Sequence, residues 1–484
     1  MQRNRVLSSG RRVVIVGGGI SGLSAAFWLR QGGINVKVIE RCARPGGVIR
    51  SELLQGYTID HAANCLMNYL PEVSYLCETV GLSNHQVFRQ DRAEKRYMVK
   101  QGRVVEVPTR VLDIVKSSYW SPLAKVRMLL EPLVPKASPA TQESVANFIR
   151  RRFGREMYER GIEPFIAGTL AGDAERVCAR SALPRFSELE NQYGSIIKGA
   201  LIKKFHGNQS TYPKHIFSFK AGMEALPAAI AGYLGESMQV DSEVQTIERQ
   251  GQHWVLKITS ADGIDTLKAD AVIMATPATV TASLLQPLSA LLASQLRSIV
   301  YAPMVVLTLG FNAADIDHPL DGIGCLIPAV ERKQVLGTLW SSSLFAHRAP
   351  AAKVLLTCYM GGMLNQGILQ HTDQELCSQV LQEIKHLLGA HKEPDFVRVI
   401  RHARGLPQYH LGHQQRLQRI ATQLHLLPGL YLTGNYLDGV SVRDCISRGR
   451  KVALDVAEGL TGVNDLRHIS ESVVSSASRA GSTH

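Results

Sequence analysis

Six consecutive residues near the start of the chain, Gly17-Gly18-Gly19-Ile20-Ser21-Gly22, are suited to holding a phosphate against the backbone. Gly17, Gly19 and Gly22 fill a G-x-G-x-x-G frame. In that frame the first glycine allows a tight turn, the second lets the backbone approach a pyrophosphate, and the third lets helix pack on strand. A β-branched run, Arg12 to Val16, precedes the turn. Leu23 to Arg30 follows it as a helix whose N-terminal amides face the phosphates. After Gly32-Gly33 a second strand, residues 34–39, leads to Glu40, about 20 residues past the glycines, where a carboxylate accepts from a ribose hydroxyl. An acid at that point repels a 2′-phosphate, which leaves NAD or the ADP half of FAD.

The rest of the chain must supply the elements that hold such a cofactor and its substrate. With 484 residues, 45% hydrophobic and 20% charged, it is globular and long enough for about three domains. A formal net charge of +13 favours anionic partners: nucleic acid, lipid headgroups or a carboxylated substrate. There is no nucleic-acid motif, and Arg150-Arg151-Arg152 reads as the solvated face of a helix running from Glu143 to Arg160. The cysteines, Cys42, Cys65, Cys77, Cys178, Cys325, Cys358, Cys377 and Cys445, form no C-x-x-C pair, so reduced thiols are expected rather than a disulfide or metal framework. The first dozen residues lack a secretory signal, and no run approaches the ~18 apolar residues of a membrane span. Residues 111–139 mix apolar positions with Lys116, Lys125, Arg127 and Lys136. They predict helices broken by prolines that either lie on a membrane surface or pack as an ordinary subdomain. Strands are expected at 244–248, 253–258, 269–277 and 430–435, a helix over 444–459, and a disordered tail in the last ~20 residues.

Arg44-Pro45-Gly46-Gly47 follows Glu40 closely and resembles the R-x-G-G extension of the FAD-containing amine oxidase and protoporphyrinogen oxidase superfamily. Residues 165–173 (F-I-A-G-T-L-A-G-D), 217–223 (F-S-F-K-A-G-M), 406–413 (L-P-Q-Y-H-L-G-H) and 434–445 (G-N-Y-L-D-G-V-S-V-R-D-C) carry the same resemblance. The P-Q-Y-x-x-G-H element is the most discriminating, being unexpected in amine oxidases and phytoene desaturases. The resemblance implies an α/β fold. Its parts are a discontinuous Rossmann-like FAD-binding domain (1–88, 211–300 and 426–463), a mixed-sheet substrate domain (89–110 and 301–425), a helical membrane-associated domain (111–210) and a tail (464–484). It also implies FAD as cofactor and oxidation of protoporphyrinogen IX to protoporphyrin IX in heme biosynthesis, with molecular oxygen as acceptor and hydrogen peroxide as product. The same likeness implies a cytoplasmic enzyme held peripherally at the cell membrane, without a nucleic-acid partner and with a homodimer as one possible assembly.

Carried over position by position, the resemblance assigns Gly17, Gly18, Gly19, Ile20, Ser21, Gly22, Glu40 and Arg41 to the adenine-dinucleotide end. Val48, Ala62, Ala63, Asn64 and Cys65 line the flavin, Val244 contacts adenine through its backbone, and Gln414, Val440, Ser441 and Val442 close the site. Arg96 pairs with a propionate, for which a planar guanidinium fork is well shaped. Leu326, Leu339 and Tyr359 sandwich pyrrole rings, and Gly168 brings its backbone to the macrocycle. The chain departs from its relatives at Ala62 and Ala63, where glycine is frequent, and at Tyr359 and Ile323, where phenylalanine is commoner. No general base is assigned to His61, His402, His410 or His413, and no metal is expected. Coproporphyrinogen III is the alternative substrate; a flavin amine oxidase, a carotenoid desaturase and a non-catalytic FAD-binding protein are more distant readings.

Overall fold

The computed structural model describes residues 10–68, 70–108, 111–138, 142–205 and 215–461. The expected tail falls outside them. Strand β1 (Arg12–Val16) is buried from Val13 onward and lies between β2 (Asn35–Ile39) and the strand Ala271–Met274, all parallel. Met238–Gln239 and Leu430–Leu432 complete a five-stranded parallel sheet at its two edges. Helix α1 (Ile20–Gln31) is buried on nearly every side, under the C-terminal helix Val442–Thr461. A Cβ at Gly449 would lie 2.6 Å from the Ser24 side chain, so that glycine sets how closely the two helices approach.

Two sequence expectations are corrected here. Residues 269–277 are not one strand: Gly263–Ala269 closes an antiparallel meander with Glu243–Gln250 and His253–Ser260, and Ala271–Met274 starts the parallel strand. The chain switches sheets at Asp270, whose carboxylate accepts from the Arg12 amide at 2.7 Å while its own amide donates to the Arg12 carbonyl. The strand expected at 430–435 stops at Leu432, before the left-handed Gly434.

A seven-stranded mixed sheet forms the second body, in the order Phe396–Pro407, Tyr301–Asn312, Lys353–Gly361, Val335–Trp340, Gly322–Leu326, Lys95–Lys100, Arg103–Glu106. Only the pairing of Lys95–Lys100 with Gly322–Leu326 is parallel, and it joins segments more than 200 residues apart. One face, with Tyr97, Val99, Cys325, Trp340 and Cys358, packs under the helix Asp373–Leu388. The other face is left for the site.

Helices do follow prolines in the segment expected to be helical: Pro122–Leu129 begins with Pro122 at its first position and Ser121 as cap. Leu123, Val126, Leu129, Leu130 and Leu133 are exposed there. Among the described residues no helix is long and apolar enough to cross a membrane. The helix expected from Glu143 to Arg160 is interrupted instead. Val145–Phe153 ends at Gly154, whose φ of +90° no longer fits a helix and whose missing side chain makes room for Arg127. Its arginines are not a solvated face either. Arg152 is fully buried and pairs with the equally buried Glu131 at 2.6 Å, Arg151 bridges Glu143 and Glu190, and Arg150 pairs with Glu175. Glu131 also accepts from the Ser195 hydroxyl and the Ile196 amide, and Arg152 donates to the carbonyls of Val134 and Gly194. The pair thus joins the exposed apolar turn to the helices behind it. Arg152→Ala leaves Glu131 buried without its cation and is expected to cost about 3–5 kcal/mol, read as a lower denaturant midpoint; the double change Arg152→Met with Glu131→Leu should recover most of that loss.

Candidate active site

The glycine loop has the shape its spacing predicts. Gly17 sits at φ +108° with the Ala275 carbonyl 2.9 Å from where a Cβ would be, and a Cβ at Gly22 would lie 2.1 Å from the Gly17 carbonyl oxygen. At Gly19 a Cβ would meet nothing within 4 Å. That open side, beside a helix start with no side-chain cap and no acidic residue in its first turn, is a cradle that fits a pyrophosphate. Glu40 is buried and accepts from the Gly18 amide at 2.6 Å and the Cys42 amide at 2.8 Å, one on each oxygen. The acid therefore shapes the loop and keeps lone pairs for a ribose. In the R-x-G-G extension the Gly46 amide donates to the Gly18 carbonyl, and Arg44 donates to the carbonyls of Pro45, Gly47 and Ile49. Arg41 is exposed, 3.7 Å from Glu243, Val48 is exposed beyond the double glycine, and Val244 is buried at the start of its strand.

The flavin-lining candidates, residues 62–65, follow the strand Tyr57–Asp60, and Asp60 anchors them. Its carboxylate is almost fully buried, pairs with Arg348 at 2.9 Å and accepts from the Ser51 hydroxyl at 2.6 Å and the Met223 amide at 2.8 Å. Arg348 donates in turn to the Ser218 hydroxyl. Ser218 and Met223 belong to the F-S-F-K-A-G-M motif, whose Gly222 has φ +88° and no room for a Cβ against Ser51 and Asp60. Sequence reasoning missed Arg348, which has no spacing signal. Asn64 donates to the Ala62 carbonyl at 3.0 Å and to the Tyr359 hydroxyl at 2.7 Å. Burial pushes the Tyr359 phenol far above its usual range, with Cys65 and Asp60 adding to the effect, so it stays neutral. Cys65 packs against the cluster of Ala93, Leu344 and Phe345, as Leu339 and Ile323 also do, and burial raises its thiol to about 11.

The substrate candidates come together on the free face of the large sheet. Tyr359 pairs with Gly337 and Gly337 with Leu326, which pairs with Met98; Leu339 pairs with Thr357 in the neighbouring row. Strand alternation puts Arg96 on the same face as Met98, away from the buried Tyr97 and Val99. Arg96 is exposed, and among the described residues its side chain has neither an ion pair nor a hydrogen bond. Helix Glu163–Leu170 lies over this face, where Gly168 makes room for Leu326: a Cβ would fall 2.5 Å from the Leu326 side chain.

The P-Q-Y-x-x-G-H element ties these parts together. Gln408 donates to the Leu170 carbonyl at the end of the covering helix, and Tyr409 donates to the Asn435 carbonyl. His413 stacks on Tyr409 with ring centroids 4.5 Å apart and bonds the Leu437 carbonyl. Burial holds His413 below the usual imidazole range, so it is a neutral donor. Gln414 follows it half-buried on the same helix. The tied segment leads into Val440, Ser441 and Val442, where the Ser441 hydroxyl accepts from the Asp444 amide and starts the C-terminal helix. His61 lies 3.1 Å from Glu52 and His402 bonds the His61 carbonyl, while the buried Nε2 of His410 has no partner among the described residues. Among the described residues no cluster of His, Cys, Asp or Glu could hold a metal.

Residues 20–457 match the flavin containing amine oxidoreductase family. The chain is 33% identical to protoporphyrinogen oxidase 2, chloroplastic/mitochondrial, of Arabidopsis thaliana, over 92% of this chain and 93% of the relative. It is 28% identical to coproporphyrinogen III oxidase of Bacillus subtilis, over 93% and 98% respectively. A crystal structure from Exiguobacterium sp. 255-15 shares the fold with a TM-score of 0.77 at 24% identity, covering 93% of this chain and 99% of the other. The chain belongs to the flavin containing amine oxidoreductase family, in the group that holds the porphyrinogen oxidases. It is a flavoprotein oxidoreductase, and FAD is its cofactor. Gly19→Ala tests the cradle. Its new methyl meets no protein atom, so the fold should persist with FAD affinity at least about tenfold weaker, whereas Gly22→Ala should compromise folding itself. Equal FAD content in Gly19→Ala and wild type would place the pyrophosphate elsewhere.

Proposed function

We propose that the chain oxidises protoporphyrinogen IX to protoporphyrin IX and passes the electrons to molecular oxygen, yielding hydrogen peroxide. The observation that carries this reading is Arg96, a guanidinium without a partner among the described residues, on the same sheet face as Leu326, Leu339 and Tyr359. A flat apolar macrocycle bearing carboxylates needs that combination of aliphatic walls and one planar cation. Bound FAD supplies the two-electron acceptor for each oxidation step. The protein's part is positional: Arg96 holds a propionate, Leu326, Leu339 and Tyr359 confine the ring, and the helix Glu163–Leu170 keeps water off the reacting face. The similarity to a coproporphyrinogen III oxidase supports a second reading with the four-carboxylate substrate.

We also place the enzyme peripherally at the cytoplasmic surface of the cell membrane. Leu123, Leu129 and Leu133, each at least two-thirds exposed, would enter the headgroup region beside Arg127 and Lys136. Leu123→Asp with Leu133→Asp is expected to abolish sedimentation with anionic phospholipid vesicles at unchanged FAD content. Cosedimentation equal to wild type would remove the anchor.

Anaerobic mixing of the holoenzyme with either porphyrinogen tests the reaction. Bleaching of the flavin band by protoporphyrinogen IX faster than by coproporphyrinogen III is expected, with porphyrin fluorescence appearing in air. Bleaching by neither rejects both readings. Arg96→Ala should raise KM for the porphyrinogen at least about tenfold while FAD is retained, and an unchanged KM would remove the propionate role.

A further inference from the structure

We propose that the strand Phe396–Pro407 holds the flavin-lining segment at His61, by its carbonyl from His402 and by its ring through Glu52, and that a proton taken up by His61 loosens this hold and speeds the loss of FAD. His61 immediately precedes Ala62, Ala63, Asn64 and Cys65, and the inference rests on the assignment of those four to the flavin. It closes the hairpin of Ser51–Leu54 and Tyr57–Asp60, its amide donating to the Arg50 carbonyl at 2.9 Å. Strand alternation gives Phe396, Arg398, Ile400 and His402 one common side, and each of them meets the hairpin or its end. Phe396 stacks on Tyr57 with ring centroids 4.8 Å apart, and Ile400 shares a buried cluster with Tyr57 and Ile59. Arg398 donates to both Glu52 oxygens, at 3.1 and 3.2 Å, and Nε2 of His402 bonds the His61 carbonyl at 2.8 Å. The buried Nε2 of His61 lies 3.1 Å from Glu52, an ion-pair contact not aligned as a hydrogen bond. The second body therefore grips His61 twice, once on its backbone and once, through Glu52, on its ring.

The two histidines answer a proton differently. A carbonyl needs a donor, and Nε2 of His402 serves as one in the charged ring as well as in the neutral tautomer that carries its hydrogen there. The ring of His61 faces the Glu52 carboxylate, which two guanidiniums already share: Arg398 and, at 3.1 Å, Arg50. An imidazolium would be a third cation on one anion, at a place where the side chains of His61 and Glu52 are only 11% and 12% exposed. Burial, aided by Arg50 and Arg398, outweighs the pull of Glu52 and holds His61 below the usual imidazole range. Asp60, the neighbour in the chain, is turned instead to Arg348, Ser51 and Met223. Once the clamp opens, the ring regains its ordinary value of about 6.5, so the open form binds more protons than the closed one. The hold is complete above that value and is lost as the pH falls from it toward the lower value of the closed clamp. His61 is a positioning residue for the flavin segment, and its charge state sets how firmly that segment is held.

The test follows FAD release from diluted holoenzyme, read as rising flavin fluorescence, in wild type, His61→Gln and Glu52→Gln. The unfolding temperature of each holoenzyme is recorded alongside. Between about pH 7.5 and about pH 5.5 wild type is expected to release FAD at least about fivefold faster at the lower value, and His61→Gln to vary by less than about twofold. Glu52→Gln removes the charge that favours the imidazolium and should deepen the step. No step in wild type, or an equal step in His61→Gln, overturns the proposal. A step in unfolding temperature without one in FAD release shows a junction that the flavin does not feel, and rejects the assignment of residues 62–65 and this inference with it. If His61→Gln cannot hold FAD, Glu52→Gln decides alone, and a step equal to that of wild type rejects the proposal.

Discussion

A buried carboxylate at Asp60 is the constraint on which the site depends. Taken out of water, that charge is tolerable only if donors surround it, and it draws them from three separate segments: Ser51, Met223 and Arg348. Arg348 comes from the polypeptide of the large sheet's body, between two of its strands, while Ser218 lies in the strand His215–Phe219 and Met223 just after it. Satisfying one anion therefore docks the two bodies against each other, four residues upstream of Asn64. The hydrogen bond from Asn64 to Tyr359 crosses the same junction.

A second junction works by the same logic with neutral groups. Carbonyls at helix and strand ends lack partners within their own element and must find donors elsewhere. Gln408, Tyr409 and His413 supply them to Leu170, Asn435 and Leu437. One short motif so fixes the helix above the free face of the large sheet and the segment entering the C-terminal helix. Its residue types are explained by donor geometry, and none is required as an acid or base.

Legibility in the sequence followed the range of the interaction. The strand-turn-helix around Gly17 to Gly22 and the acid at Glu40 were readable because the turn is set by glycine spacing and the acid bonds the Gly18 amide only 22 residues away, both within one βαβ unit. The R-x-G-G turn was readable for the same reason. The pairing of Arg151 and Arg152 is not legible in the sequence, since local periodicity says nothing of Glu190 and Glu131 waiting to neutralise them. The meander's third strand, Gly263–Ala269, had no counterpart among the expected strands, and the switch of sheet at Asp270 is made with Arg12, over 250 residues away.

Residue type and spacing alone thus pointed to a bound dinucleotide and disfavoured NADP, because a glycine loop and an acid act through their own backbone and charge. Only tertiary structure decided that Arg96, Leu326, Leu339 and Tyr359 share one face and that Arg348 stands behind Asp60. Those relations are set by sheet register between distant strands and by the compensation of buried charge, and neither leaves a periodic mark on the chain.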